Sequence, residues 1–110
     1  IFYGNAREWS NKRRQSIKQQ GEAMFVIIVY DMNVERVAKI CQYLRRYLDW
    51  VQNSVFEGEL TDSQFERIRH DLKEVVHEDE DSVRIYAFRT KKQVKIETIG
   101  VQKADIGCII

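Results

Sequence analysis

Met24-Phe25-Val26-Ile27-Ile28-Val29-Tyr30-Asp31 is the stretch on which the reading of this chain turns. Six consecutive β-favouring residues, Phe25 to Tyr30, predict a strand covered on both faces. Asp31 then emerges where the strand meets solvent, held by the sheet yet hydrated. A carboxylate so placed suits a metal ligand or a general base. It equally suits a turn or a helix-entry cap, the more frequent use of a strand-end aspartate.

Upstream of this strand the chain changes character. Residues 1–23 hold five cations (Arg7, Lys12, Arg13, Arg14, Lys18) against Glu8 and Glu22, so the overall charge of +1 conceals a basic leading segment. Trp9 and Ile17 are isolated there and make no apolar stripe of the kind a packed helix needs. We read 1–23 as a basic N-terminal extension (a cloning remnant, a leader or an arm that touches phosphates) and 24–110 as one compact domain. The 44% hydrophobic content suits a globular unit. No apolar run approaches the ~20 residues that cross a bilayer, so no membrane partner is expected and a cytoplasmic location is. Cys41 and Cys108 show neither a metal-ligand spacing nor a disulfide framework, and Cys41 reads as a packed thiol.

Downstream, Asn33 can cap a helix whose apolar positions Val34, Val37, Cys41, Leu44 and Leu48 step by three and four. Arg36, Lys39 and Arg46, with Arg45 beside them, form a cationic stripe on another face, either a solvated surface or a track for a phosphate backbone. Residues 50–60 read as two short strands, or one strand bent near Asn53. Thr61 and Gln64 form a capping-box pattern before a second helix with Phe65, Ile68, Leu72, Val75 and Val76 on its apolar side. The acidic run Glu78-Asp79-Glu80-Asp81 is expected to end that helix as a solvated turn. Ser82 to Arg89 alternates as a strand covered on both sides, and after Thr90-Lys91-Lys92-Gln93 a last strand is expected over Val94 to Gly100.

This order gives an α+β fold of the ferredoxin-like split-βαβ plan, with two helices on one face of the sheet and an added C-terminal strand. Two helices cover one face only, whereas Phe25 to Tyr30 is apolar on both. A face-to-face homodimer removes the second face from water, leaves the last strand free to pair across the two-fold, and brings two copies of Asp31 towards a shared cleft.

The strand ending Val29-Tyr30-Asp31, Arg36 in the first helix, and Trp50-Val51-Gln52-Asn53-Ser54-Val55-Phe56-Glu57-Gly58-Glu59-Leu60 together resemble the CRISPR-associated protein 2 family over Met24 to about Gly100. The resemblance implies a small ferredoxin-like dimer of the spacer-adaptation machinery, described both as a metal-dependent endonuclease and as a non-catalytic scaffold. In the first description Asp31 is the catalytic residue and binds Mg²⁺ from both protomers. In the second the dimer sits between copies of the CRISPR adaptation integrase, CRISPR-associated protein 1, and holds DNA on a basic surface. Arg36, Lys39, Arg45 and Arg46, with Lys91, Lys92 and Lys95, are the expected contacts to RNA or DNA, since cations bind phosphate without reading sequence.

One aspartate per chain makes a thin Mg²⁺ site; two symmetry-related ones with substrate phosphate and waters suffice. His70 and His77, seven residues apart, are too far separated to chelate one ion. Glu57 and Glu59 share a strand face as a second acidic pair or a polar edge, and Ser54 lacks a neighbouring base. Tyr43 and Tyr47 offer stacking surfaces or complete a packing face. A ferredoxin-like small-molecule sensor is the third reading, permitted by the fold and supported by no binding motif.

Overall fold

The computed structural model describes residues 23–101. Four strands and two helices follow one another as β1 (Ala23–Asp31), α1 (Val34–Leu44), β2 (Asp49–Gln52), β3 (Val55–Thr61), α2 (Asp62–Val75) and β4 (Ser82–Phe88). The sheet order is β2-β3-β1-β4 with every neighbouring pair antiparallel, the ferredoxin-like arrangement expected from the sequence. β1 is thus flanked on both edges, so its backbone donors and acceptors are paired along both sides.

Alternation along β1 divides the sheet into two faces. Val26, Ile28 and Tyr30 join Ile40, Cys41, Leu44, Leu48, Trp50, Phe56, Leu60, Ile68 and Leu72 in one buried cluster beneath the helices. Phe25, Ile27, Val29 and Asp31 therefore point the other way, where no helix lies. On β4 the same logic applies: Val83 and Ile85 pack against the helix-side cluster, so Ser82, Arg84, Tyr86 and Phe88 share the helix-free face. Phe25 is buried there against Phe88, with ring centroids 6.4 Å apart, but Val29 and Tyr86 remain 36% and 43% exposed.

Both helix entries are as the sequence predicts. Asn33 accepts from the Glu35 amide at 3.0 Å, and the Thr61 hydroxyl accepts from the Gln64 amide at 3.2 Å while the Gln64 side chain accepts from the Thr61 amide at 2.9 Å. Thr61 is itself buried, so Thr61→Ala leaves the Gln64 amide without its acceptor. We expect it to lower unfolding free energy by about 1 kcal/mol in a urea titration, and an unchanged midpoint would show that the box contributes nothing.

Several sequence expectations are corrected. Val34 is the first residue of α1 and projects into solvent, and Leu48 is buried but lies beyond the helix, after a turn in which the Leu44 carbonyl accepts from the amides of Tyr47 and Leu48. α2 stops at Val75, so His77 stands in the following loop rather than on the helix. Residues 94–101 form no strand: a 3₁₀ turn at Lys91–Gln93 follows β4, and an alternating sequence without a ladder partner among the described residues has no reason to form one. Ile96, Ile99 and Val101 are consequently exposed. The acidic run is not uniformly solvated either, because Asp81 is buried. Residues 1–22, including the basic extension, and Cys108 lie outside the described residues, while Cys41 is buried as the packed thiol expected of it.

Candidate metal centre at the end of the first strand

Asp31 ends β1 opposite Ser82, exposed, on the helix-free face. What fixes it is the chain on either side. The buried Tyr30 donates its amide to the Ser54 carbonyl at 3.1 Å and its hydroxyl to the Asn53 carbonyl at 3.0 Å, and the Cys41 sulfur lies 3.1 Å from the Tyr30 hydroxyl oxygen. Trp50 Nε1 donates to the same Asn53 carbonyl at 3.4 Å, so the β2–β3 turn is pinned to the end of β1.

On the other side of Asp31, the Asn33 amide donates to Asp81 Oδ1 at 2.9 Å. Asp81 has a fully buried side chain and accepts three further bonds: from Arg36 Nε at 2.7 Å, from Arg36 Nη2 at 2.8 Å, and from the His77 amide at 2.9 Å. The paired Arg36 guanidinium, then burial acting in the opposite sense, then the two backbone donors set its acidity, and the net result holds the carboxyl well below the usual carboxylate range. A bidentate, charge-assisted pair of this kind ties the start of α1 to the loop preceding β4.

Arg36 is thereby placed differently from the phosphate-tracking role the sequence suggested. Its side chain is 13% exposed, two of its nitrogens are engaged by Asp81, and Glu80 lies 3.6 Å from Nη2. Asp81 in turn reads in the sequence as solvated charge, the last of four acidic residues, because its partner Arg36 is 45 residues away.

The remaining candidate residues fall on separate surfaces. On the helix layer, Lys39 is exposed on α1, Arg45 is half-buried at its C-terminal cap, and Arg46 is exposed in the turn beyond the helix rather than on it. Lys91 instead lies 5.8 Å above the Phe25 ring, on the opposite layer, with the exposed Lys92 next to it. Lys95 pairs with Glu97 at 3.2 Å. One chain does not bring the two cation groups into a single track. Tyr43 and Tyr47 rings pack 5.5 Å apart, and the Tyr43 hydroxyl donates to Asp71, a link from α1 to α2 rather than a free stacking platform.

Among the described residues, no group of three or more His, Cys, Asp or Glu side chains is placed to hold a metal ion. Glu57, half-buried opposite Asp49, has its carboxyl pushed up by burial, and it pairs with Ile27, four residues from Asp31 along β1. That separation is roughly 13 Å, so Glu57 and Asp31 cannot share an ion within one chain. His70 faces Asp71 and Glu74 while His77 faces Glu80, each in a local surface pair. Asp31 therefore supplies a single, exposed carboxylate, a donor suited to a hard cation that keeps most of its waters.

The family described as CRISPR associated protein Cas2 matches residues 24–96. A protein of Methanocaldococcus jannaschii named CRISPR-associated endoribonuclease Cas2 is 50% identical over 111 aligned residues, covering 94% of this chain and 97% of its own. That alignment is longer than residues 24–110 can supply, so it reaches into the basic leading segment. A Methanosarcina acetivorans protein of the same name is 51% identical over 87 residues, 79% of this chain and 100% of that one. A solved Cas2 crystal structure superposes with a TM-score of 0.67 at 46% identity, covering 80% of this chain and 99% of its own. Shared sequence and shared sheet topology agree, and the chain belongs to the Cas2 family of CRISPR-associated proteins.

Proposed function

We propose that two copies of this chain pair through their helix-free faces and that the two Asp31 carboxylates hold one Mg²⁺ at which a phosphodiester of RNA or DNA is hydrolysed. The observation that carries this reading is the position of Asp31: exposed, rigidly flanked, and on the face where Val29 and Tyr86 remain accessible. An apolar sheet face covered by a second copy leaves the strand end at the rim. The names of the relatives, endoribonuclease in each case, favour RNA.

Bound Mg²⁺ would neutralise charge on the phosphoryl oxygens and lower the pKa of a water. Asp31 would hold that ion. A water oxygen forms the new P–O bond as the bond to the sugar oxygen breaks; the proton lost by the water passes to solvent and the leaving oxygen takes one up. Exposed Lys92, on the layer that carries Asp31, is placed for a flanking phosphate, whereas Lys39, Arg46 and the half-buried Arg45 lie on the helix layer and would meet only a nucleic acid long enough to wrap around the molecule.

The same cations support a second role in CRISPR adaptation, in which the dimer holds DNA for the integrase, CRISPR-associated protein 1, without chemistry of its own. The two roles differ in their need for metal. Purified protein is expected to sediment at twice the 13.1 kDa of one chain, to cleave RNA or DNA oligonucleotides in Mg²⁺, and to stop in EDTA until excess Mg²⁺ is restored. Cleavage that persists in EDTA, or a stable monomer that cleaves, would overturn the nuclease reading. Tight binding without cleavage would leave the scaffold.

A further inference from the structure

Arg84 was not singled out by the sequence, yet it lies on the same sheet face as Asp31. The strand register pairs Asp31 with Ser82 and Val29 with Arg84, so Asp31 and Arg84 are diagonal neighbours across β1 and β4. Diagonal neighbours in an antiparallel pair stand roughly 7–8 Å apart at the backbone, a gap that a long side chain spans.

The other structured arginines of α1 and α2 with ion pairs are neutralised locally: Arg36 by Asp81, Arg67 by Asp71, Arg69 by Glu66. Arg84 differs from them. Among the described residues, a hydrogen bond with the phenol of Tyr86, two residues along the strand on the same face, raises the pKa of a guanidinium that is charged in any case. Among the described residues, then, neither the exposed Arg84 nor the exposed Asp31 beside it forms an ion pair. A guanidinium offers a planar fork that matches two oxygens of a phosphate.

We propose that Arg84 grips the non-bridging oxygens of the phosphodiester held at Asp31, with Tyr86 setting the direction of its guanidinium. This rests on the nuclease reading of Asp31 and adds to it the group that contacts the reacting phosphate. Asp31 and Arg84 then divide the work: the carboxylate holds the cation, and the guanidinium takes up charge that builds on the phosphoryl oxygens as the water attacks. The two copies of the pair would face the same cleft.

The test compares the wild-type dimer with Arg84→Gln and Arg84→Lys, measuring oligonucleotide cleavage across a Mg²⁺ titration and binding of the same oligonucleotide in EDTA. Arg84→Gln is expected to lower kcat by about 100-fold with the Mg²⁺ midpoint unchanged, because the ion is held by Asp31. Arg84→Lys, a point charge without the fork, is expected to lose about tenfold. Should Arg84→Gln dissociate the dimer, Arg84→Lys decides the matter. Arg84→Gln cleaving within threefold of wild type as an intact dimer, or Arg84→Lys at the wild-type rate, overturns the proposal, as does dissociation of both variants. If the wild-type protein itself fails to cleave, the nuclease reading falls separately. Arg84 is then judged on binding: a roughly tenfold loss with a shallower salt dependence in Arg84→Gln upholds the phosphate contact, and unchanged binding removes it.

Discussion

Asp31→Asn is expected to abolish Mg²⁺-dependent cleavage while leaving the fold and the dimer intact. Asparagine keeps the size of the side chain and one oxygen, but it carries no charge to offset the dehydration of a hard cation. Removing a group that merely orients a metal ligand already costs 10- to 100-fold, so loss of the ligand itself should exceed about 100-fold. In a symmetric dimer the substitution strikes both carboxylates at once. Stability should not follow, because the backbone at this point is held by the buried Tyr30 and by the Asn33 amide, neither of which uses the Asp31 side chain. A thermal melt and a sedimentation run separate the two effects. Mixed dimers add a sharper reading: one wild-type and one Asp31→Asn subunit should require more Mg²⁺ for half-maximal rate than the wild type. Cleavage by Asp31→Asn at the wild-type rate, with the fold intact, would eliminate the site and return the protein to a nucleic-acid scaffold.

Most of this architecture is legible in the sequence because its causes are local. A run of apolar β-formers makes the central strand, three- and four-residue steps make the helices, and Thr61 with Gln64 announces the second helix entry within four residues. Asp31 is legible for the same reason, as the carboxylate where an apolar strand stops. What could not be read depends on groups that meet only after folding. Asp81 sits in a run that looks like solvated charge, and its burial is decided by Arg36, a residue on another element. Arg36 in turn looks like part of a cationic stripe until its fork closes on that carboxylate. Arg84 has no local signal either, since only the register of β1 against β4 places it beside Asp31. The expected last strand over 94–100 failed on different grounds: alternation records that a segment can pair, not that a partner is present in the same chain.

The other large effect is on stability. Asp81→Asn is expected to lower the melting temperature by roughly 10 °C or more, a loss typical of stripping the charge from a buried, fully hydrogen-bonded carboxylate in a domain of this size. The amide can still accept from one backbone donor, but its nitrogen then opposes the guanidinium, and Arg36 is left charged at a site where it is mostly covered. The change also reaches the candidate site, because with one oxygen left the Asn33 and His77 amides compete for it, and the Asn33 bond fixes the turn directly after Asp31. Acid exposes the same linkage in the wild-type protein. The Asp81 carboxyl is held below its unfolded value, chiefly by Arg36, so the unfolded chain takes up the proton first as pH falls. Its contribution is therefore complete above about pH 4 and declines as pH drops below that, towards the depressed folded value. Asp71, lowered by the Tyr43 hydroxyl, acts in the same direction in wild type and variant alike, so the difference between the two isolates Asp81. Melting temperatures measured from pH 7 to pH 2 should converge below pH 4, with Asp81→Asn showing the flatter curve. Parallel curves across that range would mean that the buried pair does not hold this end of the molecule together, and the rigidity assigned to Asp31 would lose its physical basis.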